Sequence, residues 1–253
     1  MTSPEKLRLA LEATPAHTID EVLQTMRAME AALAAPDLLP DDGIGWFHRL
    51  YLEVTERVRE EASGETFEDP EFIAVLDVEF ANLYFSALQQ FLAGSPKTPR
   101  AWRPLFRESE NGSIAPIQFA LAGMNAHINR DLAVALCRLW SQRSGESRSR
   151  QKADFLKIND LLAGVQEEVK SLFLTGSLRR LDRAFGNVDD IVAMWSIVEA
   201  RNAAWIHGEV LHALGGESSL LGRMHLDSID GMVGLASRGL LIDLDARRGS
   251  IAP

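Results

Sequence analysis

His127 and Asp131 stand four residues apart in the stretch from Phe119 to Cys137, so on a helix their side chains leave one face a single turn apart. A histidine and a carboxylate at that spacing can supply two ligands to one divalent metal ion, or the carboxylate can orient the imidazole as a base. A third outcome is a pair that bonds to itself and fills a gap in the core, because structural pairs also carry perturbed pKa values. Ala120, Met124, Ile128 and Ala135 lie on the same side, and Asn125 and Asn129 add polar groups to an otherwise apolar helix. Such groups are costly to bury unless something pairs with them. The segment therefore reads as the polar floor of an enclosed site, with Asn125 and Asn129 as substrate-binding candidates.

Asp77 is the second candidate. It sits in a run from Phe72 to Leu92 that is apolar almost all the way round, where an ionised carboxylate needs a cation, donors or its own proton. Facing His127 and Asp131, it would complete three ligands with one open position for Zn, Mn or Fe, the pattern of a catalytic metal. Without a metal, neighbouring carboxylates push one pKa upward and create a buried acid. Tyr84, seven residues on and on the Asp77 face, is expected to donate to substrate, and Asn82 to line the site. The competing reading pairs Asp77 with Arg201 as a buried ion pair.

Arg201 belongs to a third cluster. Arg201, Trp205 and Glu209 follow at intervals of four, with His212 three further on, and Trp195, Asn202 and His207 on adjoining faces. Arg201 is expected to anchor an anionic group of the substrate or the carboxylates just named. Trp195 and Trp205 are expected to wall the pocket, although a tryptophan on a helical stripe is more often core. His48, His207 and His212 read first as structural.

These residues must be positioned by helices. Thr18-Ile-Asp-Glu21 has the form of a capping box, and Ile19, Val22, Leu23, Met26, Met29 and Leu33 follow at helical spacing. A second helix begins near Ile44, with Phe47, Leu50, Tyr51, Val54 and Val58 on its core face. Asp69-Pro70 is an N-cap followed by proline at the first helical position, opening a buried central helix over 70–92. Gly94 to Gly112, with three prolines, Trp102 and Phe106, reads as a long connection that forms a lid or pocket wall. The His127 helix is expected from Ile114 to Ser141, and 143–152 as a flexible linker. Beyond it come an amphipathic helix over Phe155 to Leu172, a short one from Leu178 to Phe185, a long one capped by Asn187 that stops at Gly215-Gly216, and a last one from Ser218 to Arg238. Residues 1–17 read as an N-terminal arm. The expectation is an all-α, single-domain bundle of about seven or eight helices spanning 1–253, with both sides of the linker sharing one core.

Composition narrows the function. The 253 residues carry a formal net charge of -10, with 46% hydrophobic and 25% charged residues, a balance that lacks the cationic stripe a nucleic-acid surface needs. A single cysteine, Cys137, excludes an internal disulfide and a multi-cysteine zinc site, and its apolar neighbours mark it as core. The N-terminus has no apolar signal core and no stretch approaches a membrane span, which implies a cytoplasmic protein. A Walker loop, a nucleotide- or flavin-binding glycine turn, a Gly-x-Ser-x-Gly elbow, His-Glu-x-x-His, paired Glu-x-x-His and Asp-Asp-x-x-Asp are all missing.

Gly123-Met-Asn-Ala-His-Ile-Asn-Arg-Asp-Leu132, Leu76-Asp-Val-Glu-Phe-Ala-Asn-Leu-Tyr84, Phe47-His-Arg-Leu-Tyr-Leu-Glu-Val-Thr55 and Trp195-Ser-Ile-Val-Glu-Ala-Arg-Asn-Ala-Ala-Trp205 resemble the motifs of an uncharacterised bacterial family of unknown function, over about residues 19 to 242. Its members tend to carry asparagine at the position of His48 and need not have His212, which implies that neither is an essential ligand. The resemblance locates a site and names no reaction.

Three functions follow as expectations. The first is a divalent-metal hydrolase or lyase for a small molecule, using His127, Asp131 and Asp77. The second is a metal-independent isomerase or cyclase of a largely apolar metabolite, with an aspartate as acid and His127 as base. The third is a non-catalytic binding or assembly protein, with homo-oligomerisation open in every case.

Overall fold

The computed structural model describes residues 3–34, 42–62, 67–143, 147–159, 162 and 196–242. Helices α1 (Ser3–Ala10), α2 (Ile19–Leu33), α3 (Gly43–Ala62) and α4 (Pro70–Leu92) come first, followed by a short α5 (Arg103–Glu108) and α6 (Pro116–Ala126). The chain then passes through one π-helical turn, His127–Asp131, directly into α7 (Leu132–Gln142). A helix α8 covers 148–159, and α9 (Ile197–Ala213) and α10 (Leu220–Leu240) complete the described residues, among which no strand occurs.

Local chemistry explains most of the boundaries. The Thr18 hydroxyl accepts from the Glu21 amide at 3.2 Å, while the Glu21 carboxylate reaches one residue further back, to the His17 amide at 2.7 Å. Asp69 caps α4 by accepting from the Phe72 amide at 2.9 Å, with Pro70 at the first helical position. Gly215 and Gly216 end α9 at φ of 87° and 67°, the left-handed region that residues with a Cβ rarely enter. Two boundaries depart from expectation. The long late helix does not run unbroken to Leu214: Ser196 is extended and its hydroxyl caps α9 through the Glu199 amide, a Ser-x-x-Glu box of its own. The linker expected over 143–152 is shorter, because helix resumes at 148. The helix expected over 178–185, the Asn187 cap and Trp195 lie outside the described residues.

One continuous set of buried apolar side chains joins all of these helices, from Leu7 on α1 and Leu11 just past it through α4 and α7 to Phe155, Ile197 and Trp205. Helix α7 packs most extensively on α9, where Trp205 sits between Trp140 and Phe155 with ring centroids 4.9 Å from each. Helix α3 lies close against α6 because residue 123 is glycine; a Cβ there would meet the Phe47 ring at 2.3 Å. The Gly94 to Gly112 connection is no loose lid. Helix α5 occupies its middle, and Trp102 is fully buried.

Candidate active site

The π turn falls on the residues that sequence spacing singled out. The Leu132 amide donates to the His127 carbonyl, five residues back instead of four, so one extra residue is accommodated within an otherwise continuous helix. Two side-chain pairs of spacing four bracket it. Asn129 Nδ2 donates to Asn125 Oδ1 at 3.0 Å, and His127 Nδ1 lies 3.2 Å from Asp131 Oδ2.

Asp131 is fully buried and surrounded by donors. Its Oδ2 also accepts from Trp102 Nε1 at 2.8 Å, and its Oδ1 accepts from Arg130 Nη1. Burial alone would raise its pKa; Arg130 and His127 outweigh burial and hold the carboxyl below its ordinary value. An ionised carboxylate only accepts, so His127 must carry its proton on Nδ1 and keep a lone pair on Nε2. Burial lowers the His127 pKa, the Asp131 contact offsetting part of that, so the ring is neutral near pH 7. The Phe80 ring lies parallel to the imidazole with centroids 3.5 Å apart, and Tyr51 approaches edge-on at 4.4 Å.

Asp230 on α10 supports this pair from behind. Its carboxylate accepts from the Arg100 and Ala101 amides at 2.7 and 3.1 Å, and Arg130 Nε lies 3.2 Å away. It therefore fixes both the backbone that carries Trp102 and the arginine that neutralises Asp131. Neither Trp102 nor Asp230 could be paired with Asp131 or Arg130 from spacing, because the contacts span distant segments of the chain.

His127 Nε2 has no partner, and it is buried. His127 forms part of the wall of an apolar cavity of about 100 Å³ between α3, α4, α6 and α9, lined by residues such as Phe47, Leu76, Phe80, Leu121 and Ile128. Tyr51, Asp77 and Arg201 line the same cavity. The Tyr51 hydroxyl and Asp77 Oδ2 are likewise buried without a hydrogen bond. Buried polar atoms are nearly always paired, and here three that are not belong to residues lining one cavity. Burial pushes the Asp77 carboxyl up to about 7, against the pull of Arg201. Tyr51 is held well above its ordinary value by burial and then by Asp77. Burial brings Arg201 down to about 9, partly offset by Asp77, which leaves it charged at pH 7.

The remaining candidates go elsewhere. Tyr84 is fully buried behind the cavity, with its hydroxyl 3.4 Å from His48 Nδ1. His48 Nε2 donates to the Met26 carbonyl at 2.8 Å, and burial lowers its pKa to about 4, so it is a neutral core histidine. Asn82 clasps the Ala16 amide and carbonyl at 2.8 Å each, tying the N-terminal segment to α4. Asn125 donates to the Val233 carbonyl and Ser237 hydroxyl, fastening α6 to α10. Trp205 is core between two aromatic rings. Asp77 and Arg201 form no direct ion pair; Arg201 Nε and Nη2 bond Asn159 Oδ1 at 2.7 Å and the Phe155 carbonyl at 3.1 Å. Among the described residues no three His, Cys, Asp or Glu side chains are grouped to hold a metal ion. Both oxygens of Asp131 are already occupied by donors.

The family model for the family of unknown function DUF5995 matches residues 19–242, which include every residue of this site. The chain belongs to DUF5995. No curated protein and no solved structure matches it. The match begins at Ile19, the first residue of α2, and ends at Ile242, just past α10, so it contains all the helices that line the cavity. Among the described residues no helix is long and apolar enough to cross a membrane.

Proposed function

We propose that the cavity is the active site of an enzyme that moves a proton on a small, largely apolar molecule, as an isomerase or cyclase does. The observation that carries this reading is that His127 Nε2, Tyr51 Oη and Asp77 Oδ2, all buried and unpartnered, belong to side chains lining one apolar cavity. His127, oriented by Asp131, takes a proton through Nε2. Asp77, with a carboxyl near 7, is present in its acid form at neutral pH and returns a proton at a second position. A histidine and a carboxyl, both favoured by burial in their uncharged forms, supply the base and the acid of such a reaction, and the dry wall strengthens every interaction inside it. A metal-dependent hydrolase or lyase has less support, because Asp131 spends both oxygens on Trp102, Arg130 and His127. A purely structural role for the polar residues fits Asn82 and Asn125, whose amides are paired, but gives Asp77 and Tyr51 no partner.

The test uses a small ketone as a carbon acid. In D2O, 2-pentanone should enter the cavity, seen as NMR shifts of His127 and Ile128, and should exchange its α-protons faster with the wild-type protein than with a folded His127→Gln variant. Exclusion of the ketone from the cavity, or equal exchange rates with both proteins, contradicts the proposal.

A further inference from the structure

Arg201 is the cavity group that proton transfer on a neutral molecule leaves unused. It is only 5% exposed, and its guanidinium lies over the Phe155 ring at 4.1 Å. Asn159 and the Phe155 carbonyl hold Nε and Nη2. Those contacts fix the plane of the group from one side and leave Nη1 without a hydrogen bond, on a side chain that forms part of the cavity wall. A buried charge is costly unless it is paired. Among the described carboxylates, Asp77 acts on Arg201 through its charge but makes no ion pair with it, and Asp131 is bonded to Arg130, Trp102 and His127.

We infer that the ligand enters as an anion: a short-chain aliphatic monocarboxylate whose carboxylate docks on Arg201 and whose hydrocarbon chain runs past Leu76 and Phe80 to His127. This deepens the acid–base reading and rests on its premise that the cavity is a binding site. The size follows from the space: a dry cavity of ~150 Å³ takes the six carbons of benzene, so about 100 Å³ suits a hydrocarbon body of roughly four carbons. The single negative charge follows from the surroundings. One free guanidinium edge can pair one carboxylate, whereas a phosphate dianion would bring a second charge with no further cation among the described lining residues to meet it.

The experiment compares isosteres that differ in charge. Pentanoate, pentanamide and 2-pentanone are titrated into the full chain at pH 7.5, with binding read from the Arg201 Nε–H and His127 resonances. Pentanoate should bind at least tenfold more tightly than pentanamide, and Arg201→Met, checked for its helical circular dichroism, should abolish that preference while Arg201→Lys keeps part of it. If Arg201→Met fails to fold, the wild-type ratio of the two affinities decides alone. Binding of 2-pentanone with no preference for pentanoate overturns the anion inference and leaves the acid–base reading standing. If none of the three enters the cavity, both fall.

Discussion

Replacing Asp77 with asparagine should stabilise the protein, by an amount that depends on pH. The carboxyl rises from an ordinary 3.8 to about 7 on folding, and at ~1.4 kcal/mol per tenfold shift that corresponds to a cost of ~4 kcal/mol when the group ionises. The sign follows from proton counting. Between about pH 4 and pH 7 the folded protein keeps a proton that the unfolded chain has released, so wild-type stability is greatest at the acid end, falls through that window, and levels off above about 7. Asparagine keeps the shape and removes the titration. The Asp77→Asn variant should therefore exceed wild type by up to ~4 kcal/mol above about pH 8, shrinking to ~2 kcal/mol near pH 5. The larger figure is an upper bound, since Asp77 also attracts Arg201 and the substitution removes that attraction. Urea unfolding followed by circular dichroism across this range measures the difference. A variant less stable than wild type at pH 8, or a difference that does not change with pH, would show that Asp77 is not an unpaired, neutral-leaning carboxyl, because a carboxylate that belongs to a satisfied structural network costs stability when it is removed.

Related outcomes follow from the same geometry. Tyr51→Phe should be neutral or stabilise by up to ~1 kcal/mol, because it removes an unbonded buried hydroxyl, whereas Tyr84→Phe should cost ~1 kcal/mol by leaving His48 Nδ1 without its donor; thermal unfolding compares the two. Trp102→Phe should destabilise by ~2 kcal/mol, since a buried carboxylate loses a donor, and should broaden the His127 resonances by loosening Asp131. Gly123→Ala should cost ~1–3 kcal/mol through overpacking against Phe47, read as a lower denaturant midpoint. Any protein-dependent deuterium exchange should decline as pH rises through about 7, where Asp77 loses the proton it must donate.

The helices were legible because their signals are local. Caps at Thr18 and Asp69, the Gly215-Gly216 stop and helical apolar spacing each act within a few residues. The break at Ser196 was present in the sequence as Ser-x-x-Glu, but the apolar pattern that runs across it obscured the cap. For the site, one signal had two physical solutions. A polar residue on an apolar helix can clasp distant backbone, as Asn82 and Asn125 do, or face a cavity, as Asp77 and His127 do. Spacing does not separate these, because the partner lies 66 residues away for Asn82 and 108 away for Asn125. Tyr51 reads as an ordinary core residue until its hydroxyl is seen without a partner. The support from Trp102 and Asp230 depends on contacts between distant segments in the same way.

Whether His127 offers a free, neutral Nε2 to a cavity ligand is read most directly from nitrogen NMR of ¹⁵N-histidine-labelled protein. The Nδ1–H tautomer is expected at pH 7, with an unprotonated Nε2 that stays neutral to below the ordinary histidine range as pH falls and moves when a cavity ligand is added. An Nε2–H tautomer, a charged ring at pH 7, or a resonance indifferent to every cavity ligand would contradict a free, neutral Nε2 open to ligand.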